Sequence, residues 1–310
     1  MNKQHKERNF LYFIFFLALA LRVGYYIFLK NTYLFFGHPS DDVAYYKSWA
    51  ETIVFADSPS TNAFSGMPLF PYYLAVLFRI CGGNWFTVNI LNLILGSLNC
   101  VLIYLLAKKF TSNRAAVLAS LLAATNFILI YYDWLMMPVT LLISLSLAIL
   151  LALSDEGPTS FKEWTILGVF IGLAALGDGK FLIFAVLLCG YLCWSKRKNT
   201  LTKILQTLFP LILGLILILG GVTVRNKIVS SEWIFITSQS GLSFFVGNNQ
   251  EASGAFENPQ FIRPSHTGQD QDQKIFAEKV LGKKLAPSQV SNFYRQKAIN
   301  FMVTHPLEYL

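Results

Sequence analysis

Apolar residues along this chain come in long uninterrupted runs, not in the strict alternation of half-buried strands. The runs cover about 10–30, 85–107, 115–132, 135–153, 164–177, 181–194 and 204–224. A run of about 20 apolar residues is long enough for a helix to cross the hydrocarbon core of a bilayer. Lipid offers no hydrogen bonds, so a crossing segment must satisfy its own backbone. That requirement leaves helices, since the strands of a membrane barrel would alternate apolar and polar positions. The pattern therefore predicts an all-α polytopic membrane protein with about seven transmembrane helices. The runs at 164–177 and 181–194 are short. They flank Gly177-Asp178-Gly179-Lys180 and read as a tight hairpin of tilted or partly buried helices.

The first run has the basic start of a signal peptide (Lys3, Lys6, Arg8). It then meets Arg22, regains apolar character and shows no small-residue cleavage site, so it reads as an uncleaved first helix. Two stretches are expected outside the membrane. One is a loop over about 31–84, in which Pro71–Ile80 forms an amphipathic segment suited to lying along the surface. The other is 225–310, with a strand-like piece at Trp233–Thr237 and a polar helix around 288–303. The division predicted is thus a membrane domain over 1–224 and an external C-terminal segment over 225–310. Apolar character returns in Pro306–Leu310, which reads as a truncated end.

Composition supports the bilayer as solvent. Hydrophobic residues make up 54% of the chain and charged residues 14%, against about 25% charged in soluble domains. Mean hydropathy is +0.49. Soluble, disordered and collagen-like classes are excluded on these grounds. Cys81, Cys100, Cys189 and Cys193 lie in or beside apolar runs with no C-x-x-C spacing, and are expected as packed thiols. The net charge of +8 is a topology signal. With the N-terminus in the cytoplasm, eleven basic residues fall on the inner side, among them Lys108, Lys109, Arg114 and the Lys196-Arg197-Lys198 cluster. Only Lys30, Lys47, Arg79 and Lys180 fall on outward loops before residue 225. The positive-inside rule then places the first loop and the C-terminal segment outside the cytoplasm of a plasma (inner) membrane, and no nucleic-acid partner is implied.

The candidate chemistry lies near the outer face. Asp41 and Asp42 follow the first run, and two readings are open: an N-terminal cap for a helix starting near Val43, or a carboxylate facing a cavity. Arg22 lies within the first run, where a cation costs about 2.5–3.5 kcal/mol at mid-bilayer. It either faces inward with a function or snorkels to the interface. Asp178 and Lys180 form an ion pair or offer a point charge to a phosphate. Asp133, between aromatics at another outward tip, is an interface residue or a second external acid. No metalloprotease, P-loop, dinucleotide-binding or G-x-S-x-G signature occurs. The four histidines are scattered, so no metal and no soluble cofactor is implied. Acids are scarce inside the runs, which argues against an ion-coupled transporter. What remains is an enzyme acting on an amphipathic substrate at the outer face, or a non-catalytic membrane component.

Several segments together resemble the GT-C glycosyltransferases, in the bacterial branch similar to protein O-mannosyltransferases and the lipid A aminoarabinose transferase (glycosyltransferase family 39-like). They are Ala18-Leu19-Ala20-Leu21-Arg22, Asp41–Ala50 with its aromatics, Met67–Leu74, and Arg225-Asn226 leading to Ser240–Asn249. The resemblance runs over nearly the whole chain. It implies an inverting enzyme that moves a sugar from a polyprenyl-phosphate carrier to a hydroxyl on a protein, lipid or glycan acceptor. By the same resemblance Asp41, or next Asp42, is the general base, and Arg22, Lys180 and Arg225 hold the carrier phosphate. The sequence departs from the pattern at Pro138, where relatives carry an acid, and at Gly179-Lys180, where they carry Thr before the cation. These departures suit the alternative of a non-catalytic or truncated relative that binds or translocates lipid-linked glycans.

Overall fold

The computed structural model describes residues 3–34, 36–57, 62–154, 157–197, 200–254 and 257–306. Lys198 of the inward cluster and the apolar end at 307–310 lie outside them. The described residues form thirteen helices and no strand. They divide into two compact units, residues 1–57 with 68–219, and residues 58–67 with 220–310.

In the first unit every apolar run has become helix. Helix α1 is Lys3–Thr32, α4 is Trp85–Phe110 and α10 is Leu201–Ser230. These three are long and apolar enough to cross a membrane. The run predicted at 115–132 is two helices, α5 (Asn113–Thr125) and α6 (Phe127–Leu135), bent by 51°. Taken as one span, they make a fourth candidate. Asn126 explains the break, because its side chain accepts from Leu129 N at 3.1 Å and caps α6 where α5 has ended. Helices α7 (Val139–Leu153), α8 (Phe161–Gly177) and α9 (Lys180–Ser195) have 15, 17 and 16 residues. At 1.5 Å per residue they reach about 22–26 Å, less than a hydrocarbon core of about 30 Å. Spanning length therefore belongs to three or four elements, not to all seven runs.

Helix α4 packs against α1, α3, α5, α6 and α7 and is the centre of this unit. Ile14 and Ala18 of α1 meet Cys100 of α4 and Ala123 and Ala124 of α5 in one apolar cluster. A second cluster joins α7, α8, α9 and α10 around Leu167, Ile171, Leu188 and Leu211. Helix α8 begins with a full capping box, Ser160 to Glu163. Helices α8 and α10 touch backbone to backbone: a Cβ on Gly168 would lie 2.1 Å from Leu211 O, and one on Gly214 2.2 Å from Thr165 O.

The segment expected on the membrane surface is helix α3 (Leu69–Cys81), ended by Gly82 in the left-handed conformation. Phe70, Leu74 and Phe78 bury one face against Ala50 of α2 (Asp41–Phe55) and Val88 of α4. Tyr72, Val76 and Ile80 leave the opposite face apolar and exposed.

The second unit is built from the end of α10, from α11 (Ser240–Val246), α12 (His266–Leu281) and α13 (Pro287–Thr304), and from the segment before residue 68. The polar helix predicted around 288–303 is α13. Helix α12 has little apolar periodicity and starts from Ser265, whose side chain accepts from Gly268 N. Leu242, Val246, Ile262, Ala277, Val290 and Tyr294 form the core. Trp233–Thr237 is not the strand its composition suggests. No neighbouring strand pairs with it among the described residues. The Asn226 amide of α10 instead donates to Ile234 O at 3.2 Å and Ile236 O at 2.9 Å, and Thr223 Oγ1 donates to Phe235 O at 2.8 Å. Side chains of a helix thus take over the carbonyls that a ladder would use.

Candidate active site

The first unit carries a solvent-open cleft of about 80 Å³ where α1 ends, α2 and α4 begin and α6 stops. Its walls are largely aromatic, with Tyr26 and Tyr33 from α1 and the turn after it, Phe36, Trp85 of α4 and Trp134 of α6. The rings hold one another: Phe36 stacks on Trp134 at 6.2 Å, Tyr33 meets Trp134 edge-on at 5.8 Å, and Tyr26 meets Phe36 at 5.1 Å. His38 is among the lining residues, and no Asp, Glu, Lys or Arg is. The buried polar group on the wall is Asn89, 3% exposed, whose Nδ2 donates to Trp85 O at 3.0 Å.

Of the three non-glycine residues with positive φ among the described residues, one lines this cleft and a second follows a lining residue in sequence. Met136 (φ 58°) lines it and closes α6. Asp41 (φ 48°) opens α2 between Ser40 and Val43, both lining residues. Left-handed backbone costs a side-chain-bearing residue about 1–2 kcal/mol. Such strain gathers at functional sites, where the surroundings hold it in place. Ser40, not either acid, occupies the N-cap position, and its side chain makes no capping bond. Asp41 and Asp42 therefore lie in the first helical turn, both exposed, where the helix dipole favours a carboxylate. Tyr46, one turn on, is largely buried. Burial, with the Asp42 carboxylate adding to it, pushes its phenol up to about 12, so it keeps its proton at neutral pH.

The structure joins two of the predicted residues to each other. Arg22 Nε donates to Asp133 Oδ2 at 2.6 Å, and Arg22 Nη1 donates to Ala18 O at 3.2 Å. Arg22 is 1% exposed and Asp133 4%. Thr140 Oγ1 donates to Asp133 Oδ1 at 2.7 Å, and Asn92 Nδ2 to Asp133 O at 2.6 Å. Gly96 makes the space, because a Cβ there would lie 2.1 Å from the carboxylate. Arg22 thus faces inward, as one of its two readings had it, but its partner is protein. Asp133 is an interior residue of the bundle. The residue after it, Trp134, is a wall of the cleft, so this network fixes where α6 presents that wall. Pro138, at the position of an expected acid, is the N-cap residue of α7 with φ −57°, a site that suits proline.

Lys180 is not among the cleft's lining residues. It opens α9, with Nζ 3.2 Å from Asp178 Oδ2 and its side chain 85% exposed. Arg225 belongs to the second unit. Its guanidinium lies 4.0 Å from the Phe64 ring centre and donates from Nη1 to Asn62 O at 2.7 Å. Sequence reasoning gives no role to Lys47, whose Nζ stands 5.4 Å over the ring of Trp85, a wall of the cleft. Trp85 and Asn89 are legible in the sequence only as parts of an apolar run, and Trp134 only as an aromatic beside Asp133 at an outward tip. Among the described residues no group of three or more His, Cys, Asp or Glu forms a metal cluster.

Comparison with known proteins agrees with the helical membrane architecture. Neither the curated proteins nor the solved structures yield a match. The model of the dolichyl-phosphate-mannose-protein mannosyltransferase family matches residues 61–222, more than half of the chain and including Asn89, Asp133 and Lys180. The chain belongs to this family of GT-C membrane glycosyltransferases.

Proposed function

We propose that the protein transfers a sugar from a polyprenyl-phosphate carrier to an acceptor hydroxyl on the extracytoplasmic face, with inversion at the anomeric carbon. The observation that carries this reading is the strained, exposed Asp41 at the lip of an aromatic cleft beside the C-terminal end of α1. A hydroxyl is a weak nucleophile. A carboxylate at Asp41, with Asp42 as the second choice, takes its proton as the new C–O bond forms. The bond from the anomeric carbon to the phosphate oxygen breaks, and the carrier phosphate leaves with the electron pair. A phosphate leaving group needs cations more than an acid. Lys47, with Nζ 5.4 Å over the Trp85 ring, is a cation beside a cleft wall. Lys180 and Arg225 remain candidates for the carrier phosphate. Arg22 acts through Asp133, by holding α6.

The walls suit a sugar ring. Flat aromatic faces cover its C–H surfaces, and Asn89 offers an amide to a hydroxyl. No Asp, Glu, Lys or Arg lines the cleft, so its walls offer no fixed ionic partner to an amino or carboxylate substituent. The reading is therefore a neutral sugar. It also sets the chain in the plasma (inner) membrane with the N-terminus in the cytoplasm, residues 1–224 as the membrane domain and 225–310 as an external segment.

The test uses membranes holding the full chain, supplied with labelled polyprenyl-phosphate sugars that are neutral, amino-substituted or carboxylated. Neutral donors should be consumed, and Asp41→Asn should slow this by about a hundredfold or more at unchanged protein level. Full activity in the Asp41→Asn/Asp42→Asn double variant sinks the assignment of the base. Preference for a charged donor sinks the reading of the cleft.

A further inference from the structure

The turn after α10 presents two aromatic side chains outward on a braced backbone. Ser231 takes a left-handed conformation (φ 60°) and reverses the chain against the helix it has just left. The next residues alternate. Ile234 and Ile236 are buried, while Trp233 and Phe235 are 71% and 55% exposed. This is not a loose tip. Asn226 and Thr223 hold three successive carbonyls, from Ile234 to Ile236. Residues 64 and 65 clamp the segment from a second side. Asn226 Oδ1 accepts from Phe64 N at 3.2 Å, Ser238 N donates to Phe64 O at 2.9 Å, and Thr237 Oγ1 donates to Ser65 O.

The outward aromatics do not stand alone. On the last turns of α10, Val224, Lys227 and Ile228 share one face by their three- and four-residue spacing, and Val224 and Ile228 are exposed. Lys227 Nζ lies 5.5 Å over the Trp233 ring and donates to Ser231 O at 2.8 Å. An exposed apolar helix face thus continues into an exposed Trp and Phe, with a cation among them. Helix α10 is one of the three helices long and apolar enough to span a membrane.

We infer that Trp233 and Phe235 form an anchor seated in the headgroup and acyl boundary of the bilayer that α10 enters. Trp is favoured at that depth because its ring is apolar and its indole N–H is polar. A lysine there keeps its stem along apolar surface and its ammonium among phosphates. The occupant is phospholipid. The patch continues the exposed apolar side of a helix long enough to span, and Lys227 complements an anionic headgroup while Glu232 of the same turn is engaged by Ser288 N at 3.0 Å. The braced backbone means that the aromatics are presented without first being ordered. This inference does not depend on the transferase reading.

The experiment uses the full chain in lipid nanodiscs and compares it with Trp233→Phe, a change the exposed site tolerates. The difference between their emission spectra isolates Trp233. Lipids brominated near the headgroup end of the acyl chain should abolish most of that difference, while iodide in the water should leave most of it. Quenching by iodide and not by brominated lipid overturns the anchor, because the ring then faces water. Resistance to both also overturns it, because the ring is then covered by protein. A second chain, Trp233→Asp/Phe235→Asp, should match the parent in helix content in detergent yet lose protection of the 231–238 amides when only nanodisc lipid is present. Equal protection in nanodiscs would sink the proposal.

Discussion

Arg22 and Asp133 stand 111 residues apart in sequence and meet at 2.6 Å inside the helix bundle, each all but hidden from solvent. The pair ties α1 to α6, and through Asn92 and Thr140 the same carboxylate residue is tied to α4 and α7. Removing one partner leaves the other charge buried and uncompensated, which costs about 3–5 kcal/mol. Asp133→Leu alone and Arg22→Met alone should each lower thermal stability in detergent by an amount in that range. The double replacement should recover most of it, because two apolar groups leave no orphan charge. If the two single losses simply add, the pair is not a coupled unit.

Asp41 offers a way to separate chemistry from backbone strain. Asparagine tolerates the left-handed region about as well as aspartate, so Asp41→Asn should keep the parent's melting temperature and lose transfer. A β-branched residue does not tolerate it. Asp41→Val should lose transfer and also about 1–2 kcal/mol of stability. Equal melting temperatures for the two variants would mean that the positive φ is not held in the protein.

Glycines in the bundle should divide by what surrounds them. Gly214→Ala forces a methyl group against the Thr165 carbonyl, a backbone atom that cannot turn aside, and should cost about 1–3 kcal/mol. Gly190 of α9 has nothing within 4 Å of its notional Cβ. There Gly190→Ala should stabilise by up to about 1 kcal/mol through helix propensity. Detergent melting curves of the two variants check the contrast, and a loss at both sites would contradict it.

In the second unit Asp272 receives hydrogen bonds from Arg263 Nε at 2.8 Å, Arg263 Nη2 at 2.8 Å and Arg263 N at 2.9 Å. The Arg263 side-chain bonds, then its backbone N–H, hold the Asp272 carboxyl at about 2, below its ordinary value. A carboxyl depressed in the folded state adds stability above its unfolded pKa of about 3.9, and that contribution fades as pH falls toward the folded value. Amide exchange around 263–272 should therefore speed up as pH drops from about 4 to about 2, after correction for intrinsic rates. Arg263→Gln should show no such step, and an unchanged profile in that variant would reject the coupling.

Much of the architecture is written in the order of residues. Apolar runs fix where helices form, because a backbone in lipid has few other ways to satisfy itself. That Phe70, Leu74 and Phe78 share one face of α3 follows from their four-residue spacing. The acid doublet, the arginine within an apolar run and the family resemblance are likewise visible. Span number is not. Whether 115–132 is one rod or two depends on a single Asn126 cap, and whether a run of 15 residues crosses depends on length and tilt.

Tertiary structure decided the partners. Nothing near Arg22 in sequence points to Asp133, because the two meet only when α6 is packed beside α1, and the space for the carboxylate comes from a missing side chain at Gly96. Trp233–Thr237 has the composition of a strand, but a strand needs a neighbour, and here the amide of Asn226 supplies the bonds that the neighbour would. The cleft itself draws its walls from the end of α1 through the start of α2, from α4 and from α6, three places that are adjacent only in the fold. Local sequence sets the period and polarity of each helix. Which side chains share a cavity is set by close packing between helices, and no single segment carries that information.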